Sequence, residues 1–395
     1  MLSALANLFG IGGASLLSRS LGEHNYVRVR EAGASSAWMA VAATLAYSLV
    51  TMIWRVPLLR MLGADDGTID YASGYLFWTV AVGGLPTVMN MALAHLIRSE
   101  GASREASFGM SFGGLLNMLL DPFFIYDWGL GLKMEGAAIA TCISNIAATS
   151  YLLYYLFRTR RENVISLSPK YFRFKRSVAG EIFFVGLPSS IQFMMSVLSN
   201  AVLNYLMAAY TASALSAVGI VKKVDMVPTY VVQGICNGVI PLLAYNYASG
   251  NYKRLWRCAY FAGVCSLCVT FSYLALCESF APFIIRIFID NARAVDLGAV
   301  FLRLHCMSTP FLAIFFLVIA FFQATGRGTP ALFISFLRKG AIDIPFMIVM
   351  NVVWPMYGIM AVQPMMDFIV AVICLAIYRI VQKKDRRELE LKKTA

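Results

Sequence analysis

The chain has 395 residues, of which 59% are hydrophobic and 14% charged, and its formal net charge is +12. A soluble globular domain carries roughly 25% charged residues, so that class is excluded and lipid is the solvent for most of the chain. The basic residues sit in the joints between apolar stretches and not in one patch, which argues against a nucleic-acid partner.

Apolar stretches long enough for a hydrocarbon core about 30 Å thick fall at 1–19, 32–54, 70–97, 106–126, 134–157, 180–209, 212–246, 255–289, 294–322, 330–352 and 356–381. Eleven membrane helices are therefore expected. The longest spans include extensions beyond the bilayer or breaks at Pro228, Pro241 and Pro310. Sorted by alternate joints, one side holds Arg19, Arg28, Arg98, Arg104, Lys253 and Arg327, the linker with Arg158, Arg160, Arg161 and Lys170, and the basic tail. The other side holds only Arg55, Arg60, Lys133, Arg286 and Arg293. That asymmetry places the basic joints and the C-terminus in the cytoplasm.

A repeat runs through these spans. Gly10 answers Gly238 at an offset of 228, Pro86 answers Pro310 at 224, and Gly101 answers Gly326 at 225. Asp121 in LLDP answers Asp343 in IDIP, and Met134-Glu135-Gly136 answers Met356-Tyr357-Gly358, both at 222. Two bundles related by an axis along the membrane normal are the architecture of a secondary transporter. The expected fold is all-α integral membrane, with an N-terminal lobe of five helices over 1–157, a linker over 158–178, a C-terminal lobe of six helices over 179–382 and a basic tail over 383–395. The span 180–209 has no counterpart in the first half, so that lobe is expected to lack its opening helix. A start codon assigned too late, a truncation and an eleven-helix form all fit that expectation.

Polar residues inside the membrane are candidates for function. In GLLNMLLDPFFIY, Asn117 and Asp121 are four apart and share a helix face, while GAAIAT on the next span presents Thr141. Oxygens of these types suit a monovalent cation or a proton relay. An interfacial cap at Asp121 with Asn117 as interhelical glue fits the same residues. In GIVKKVDMVPTYVVQG, Lys222 and Asp225 are three apart and can pair on one face, with Lys223 beside them. They read either as a protonatable couple that contacts a charged substrate or as a snorkelling ion pair. Gln192, Asn200 and Asn204 lie on one helix and read as cavity lining or as packing.

Other signals are weak. Most of the eight cysteines lie in apolar segments, and Cys265-Ser266-Leu267-Cys268 has no βα context for redox or zinc chemistry. His24, His95 and His305 are scattered without metal spacing, and Gly10-Ile11-Gly12-Gly13 reads as close helix packing. No hydrolase motif occurs, and Met1–Gly22 lacks the basic opening of a cleavable signal. No enzyme activity and no cofactor are expected.

The runs GIGGASLLSRSLGEHN, RSEGASREA, GLLNMLLDPFFIYDWGLGLKMEGAAIAT, GLPSSIQF, GICNGVIPLLAYNYASGN and FFQATGRGTP together resemble the multidrug and toxic compound extrusion (MATE) transporters, nearest their bacterial branch. The resemblance spans essentially the whole chain. It implies a twelve-helix antiporter of the bacterial inner membrane that exports amphipathic, often cationic compounds in exchange for sodium ions or protons; a monomer is expected. It also implies a cation site whose Asn, Asp and Thr fall on Asn117, Asp121 and Thr141, with a first-helix carboxylate that has no position here. The matching position in the second repeat is near Asn204. Two rival readings remain: a flippase for lipid-linked precursors, which calls for a strongly cationic cavity, and an inactive truncated transporter.

Overall fold

The computed structural model describes residues 1–61, 63–159 and 163–394, with side chains as far as Lys383. Arg160 and Arg161 of the linker and the side chains of the basic tail beyond Lys383 lie outside the described residues. Every described element is helical, because in hydrocarbon each backbone N–H and C=O must find its partner within its own segment.

The helices are α1 (Leu2–Gly22), α2 (Tyr26–Ile53), α3 (Arg55–Met61), α4 (Ile69–Leu76), α5 (Gly84–Ser99), α6 (Ser103–Ile125), α7 (Lys133–Arg158), α8 (Glu181–Ala208), α9 (Ala212–Ala248), α10 (Tyr252–Arg286), α11 (Ala292–Cys306), α12 (Thr309–Ala324), α13 (Gly328–Phe336), α14 (Asp343–Val353) and α15 (Tyr357–Thr394). Wider π turns occupy Phe77–Val82, Arg176–Gly180 and Leu337–Ile342. Seven helices among the described residues are long and apolar enough to cross a membrane, or nine when each bent pair counts as one span. The expected spans 1–19 and 330–352 fall outside that set for physical reasons. α1 is buried along almost its whole length, so Asn7 and its many small residues meet protein and not lipid. The stretch from α13 to α14 carries Arg338, Lys339 and Asp343 around its π turn.

The breaks recur with the repeat. α4 and its π turn meet α5 at 44°, just before Pro86, and α11 meets α12 at 40°, just before Pro310. α2 stops at Trp54, three residues before Pro57, and α10 turns non-helical at Phe280, two residues before Pro282. Proline removes an N–H and clashes with the preceding turn, so a prolyl position kept in both halves keeps the kink. Asn25 caps α2 by accepting from Arg28 N, and Asn251 caps α10 by accepting from Arg254 N.

Two compact units form: Met1–Ser190 with Ala244–Gly250, and Ile191–Leu243 with Asn251–Ala395. Loop composition alone places the division at residue 178, whereas the units part at Ser190, inside α8. The reason is close packing in the first unit. A Cβ at Gly12 would overlap Ile182 O, and one at Gly186 would overlap Leu8 O, so the start of α8 lies directly against α1. Phe9 and Phe183 meet edge to face at 5.4 Å. Arg19 and Arg28 both reach Glu181, and the linker is fastened by Trp38 Nε1, which donates to Leu167 O at 3.0 Å.

Candidate functional site

α6 and α7 bring together the three residues singled out in the first half. Asn117 Nδ2 donates to Asp121 Oδ1 at 3.0 Å, one turn further along α6, and to Thr141 Oγ1 on α7 at 3.3 Å. Thr141 donates in turn to Ala137 O at 2.9 Å. The chain of amides continues inward, where Asn145 Nδ2 donates to Thr141 O at 3.0 Å and Asn145 Oδ1 accepts from Asn90 Nδ2 of α5 at 3.2 Å. Gly113 allows this approach, since a Cβ there would stand 2.8 Å from Ala148 Cβ. Asp121 is half-buried, and among the described residues no cation pairs with it. Asn90 is buried, and among the described residues its Oδ1 has no partner. A carboxylate met by a neutral amide, with the Thr141 hydroxyl beyond it, is a group fit to take a single positive charge.

The second unit holds a cavity of about 190 Å³ whose lining includes Gln192, Asn200, Lys222, Asp225, His305, Arg338, Lys339, Gln363 and Asp367. Its charges are mostly matched. Arg338 pairs with Asp367 at 2.7 and 3.1 Å, Lys339 with Asp343 at 3.2 Å, and His305 Nε2 lies 3.3 Å from Asp225 Oδ2. Lys339 also donates to Gln363 Oε1 at 3.1 Å, and Gln363 Nε2 donates to Asp367 Oδ2 at 3.1 Å. Ser199 on α8 donates to Asp343 Oδ2. The lone cation is Lys222, which among the described residues closes no hydrogen bond or ion pair and faces the cavity.

A larger cavity of about 490 Å³ lies under the linker, between Trp38, Met89, Leu156 and Ile165. It has no convergent charged groups.

The sequence model of the MatE family matches residues 1–123 and 188–349. The chain belongs to the MatE family. Multidrug export protein MepA of Staphylococcus saprophyticus subsp. saprophyticus is 30% identical to it over 363 residues, covering 91% of this chain and 78% of that protein. MepA of Staphylococcus aureus strain NCTC 8325 is 29% identical over 363 residues with the same coverage. A crystal structure of MATE in complex with MaL6 superposes with a TM-score of 0.90 at 21% identity, covering 98% of this chain and 86% of that one. The outward-facing conformation of a multidrug resistance MATE family transporter of the MOP superfamily gives 0.88 at 22% identity, covering 96% and 84%. At those identities the superpositions show the fold, which is the all-helical MATE fold expected from the sequence. This MATE chain is a multi-pass membrane transporter and not an enzyme.

Within the MATE fold Lys222 and Asp225, which the spacing allowed to pair, form no direct ion pair. Both stand on α9, yet His305 from α11 takes the Asp225 carboxylate and Lys222 is left facing the cavity. Lys223 is exposed and does not line the cavity, because one residue along a helix turns the side chain away by about 100°. Gln192 and Asn200 line the cavity, whereas Asn204 is exposed beyond it. All eight cysteines, including Cys265 and Cys268, are free thiols.

Sequence reasoning missed His305, Arg338, Lys339, Gln363 and Asp367. The signal was present in the repeat. Adding 222 to Asn117, Asp121, Thr141 and Asn145 gives Lys339, Asp343, Gln363 and Asp367, so both lobes build one polar cluster at the same four positions. The local backbone differs: α6 runs unbroken through its copy, while the second copy opens into the π turn Leu337–Ile342. Such turns recur at functional sites, and here both consecutive residues Arg338 and Lys339 are buried and reach acids.

Proposed function

We propose that this chain is a multidrug efflux antiporter of the bacterial cell membrane. It exports amphipathic, often cationic compounds in exchange for a sodium ion or a proton by alternating access, as a monomer with its C-terminus in the cytoplasm. The kinship with the MepA multidrug export proteins supports export of drugs, and the Asn117, Asp121 and Thr141 cluster carries the coupling. Asp121 is a half-buried carboxylate that pairs with no cation among the described residues, so a cation or a proton bound there meets an uncompensated negative charge. Antiport requires that this occupancy and the substrate favour opposite access states. Gln192, Asn200 and Lys222 in the second-lobe cavity give the substrate its polar contacts.

The cavity does not favour the lipid-precursor flippase. Arg338 and Lys339 are matched by Asp367 and Asp343, so their charge is not free for a pyrophosphate.

Asp121→Asn tests the coupling, since it keeps the shape and the hydrogen bond from Asn117 and removes the charge. Ion-driven efflux from everted vesicles should fall to background while membrane insertion stays normal. Undiminished efflux by a correctly inserted variant would take Asp121 out of the coupling role.

A further inference from the structure

We infer that the Lys339 ammonium is a tethered stand-in for a mobile cation, so that the second lobe carries inside its own chain the charge that the first lobe draws from solution. The two clusters supply the argument. In the first lobe Asn117 Nδ2 donates to Asp121 at 3.0 Å and to Thr141 at 3.3 Å. In the second, Lys339 Nζ donates to Asp343 at 3.2 Å and to Gln363 at 3.1 Å. Every partner in one triangle lies 222 residues from its partner in the other. At the donor position the charge differs, an amide in the first lobe and an ammonium in the second.

Burial makes that difference matter. Asp343 is 1% exposed, and an isolated carboxylate at such a place is held only by a matching positive charge. Lys339 provides it from within, four residues earlier on the same face, and Ser199 fills the remaining position on Oδ2. Asp121 has the same helix spacing to Asn117 but receives only a neutral amide. The four-carbon stem of Lys339 delivers a unit positive charge to the triangle of a carboxylate and an amide oxygen, the chemistry a monovalent cation takes. A lobe whose cation is covalently attached has no place for a mobile metal cation, so a sodium ion, where one is used, is taken by the first lobe. The identity of the mobile ion rests on the first-lobe reading given above; the role of Lys339 does not.

The test uses the full chain purified in nanodiscs, with choline chloride holding ionic strength constant. Wild type and Asp121→Asn are titrated with sodium and potassium to read the first-lobe site by itself. Lys339→Asn is then made in the Asp121→Asn background, which gives the second lobe the first-lobe residue. A saturable rise in melting temperature, roughly 2–4 °C or more, should appear with a small monovalent cation and not with choline, and Asp343→Asn should remove it. Lys339→Ala should gain a similar rise from methylammonium, which fits the vacated space.

A folded Lys339→Asn chain indifferent to all these cations, together with a Lys339→Ala chain indifferent to methylammonium, would overturn the inference. So would failure of Lys339→Asn to fold even in high sodium, because the ion should replace the lost charge. Radiolabelled sodium that still binds Asp121→Asn and is released by Asp343→Asn, with Lys339 intact, would overturn it as well. Absence of any sodium or potassium response in wild type would count against a metal cation in the first lobe and in favour of a proton there, leaving the Lys339 variants to decide their own question.

Discussion

Arg338 grips Asp367 through two parallel hydrogen bonds, Nε to Oδ1 at 2.7 Å and Nη2 to Oδ2 at 3.1 Å, with both side chains buried. The first-lobe positions that answer them at 222 are Leu116 and Asn145, neither of which is charged. Removing one partner of a buried pair strands the other charge and costs about 3–5 kcal/mol. Arg338→Leu or Asp367→Asn alone should destabilise the second lobe on that scale, and the double variant, which recreates the first-lobe pair, should recover much of the loss. A double-mutant cycle on unfolding in detergent measures this, with a coupling above about 3 kcal/mol expected, since the two single losses sum to far more than the double variant should lose. Strictly additive losses would show that the two side chains act independently.

Gly186 holds α8 against α1, where a Cβ would run into the carbonyl of Leu8. Backbone cannot swing aside as a side chain can. Gly186→Ala should therefore lower stability by about 1–3 kcal/mol, read as a lower melting temperature. Gly219 on α9 is the control, because a Cβ there meets nothing within 4 Å. Gly219→Ala should be neutral or gain up to about 1 kcal/mol from helix propensity. Equal effects at both sites would show that close approach is not what Gly186 provides.

Lys222 faces the second-lobe cavity without an ion pair among the described residues. Lys222→Met keeps the length of the side chain and removes its charge. Transported compounds that carry a carboxylate should lose roughly ten- to hundredfold in competition assays, the worth of a hydrogen bond to a charged group. Compounds that are cationic only should change little or improve. A uniform loss across both classes would mark Lys222 as a packing residue.

Glu100, just past the end of α5, accepts from the backbone N–H groups of Val164 and Ile165 in the linker. Burial pushes its carboxyl above the ordinary value, and the two N–H groups pull it part of the way back. A raised folded-state pKa means that the stabilisation is fully present below the unfolded value and is lost as pH rises through the folded one. Relative to Glu100→Gln, which keeps an acceptor and cannot ionise, wild type should lose melting temperature as pH rises from 4.5 upward. Parallel profiles for the two proteins would mean that Glu100 carries its charge in the fold without cost.

Much of this transporter was legible because membrane burial writes itself into composition. Apolar length marks the spans, and the prolines at Pro86 and Pro310 keep their kinks in both halves. The Asn117 and Asp121 contact was also legible, since an i, i+4 spacing fixes neighbours on any helix. The partners across helices were not. Spacing allowed Lys222 to pair with Asp225, and only the tertiary structure brought His305 of α11, eighty residues away, to that carboxylate. Arg338 and Asp367 likewise meet because α15 lies against the π turn at Leu337–Ile342, a backbone departure that no periodicity in the sequence announces. Local spacing and hydropathy are properties of the covalent chain, so the sequence alone determined the all-helical membrane class, the repeat and the contact of Asn117 with Asp121. The choice of counter-ion for each buried charge depends on which helix faces which, and that was decided only when the bundle packed.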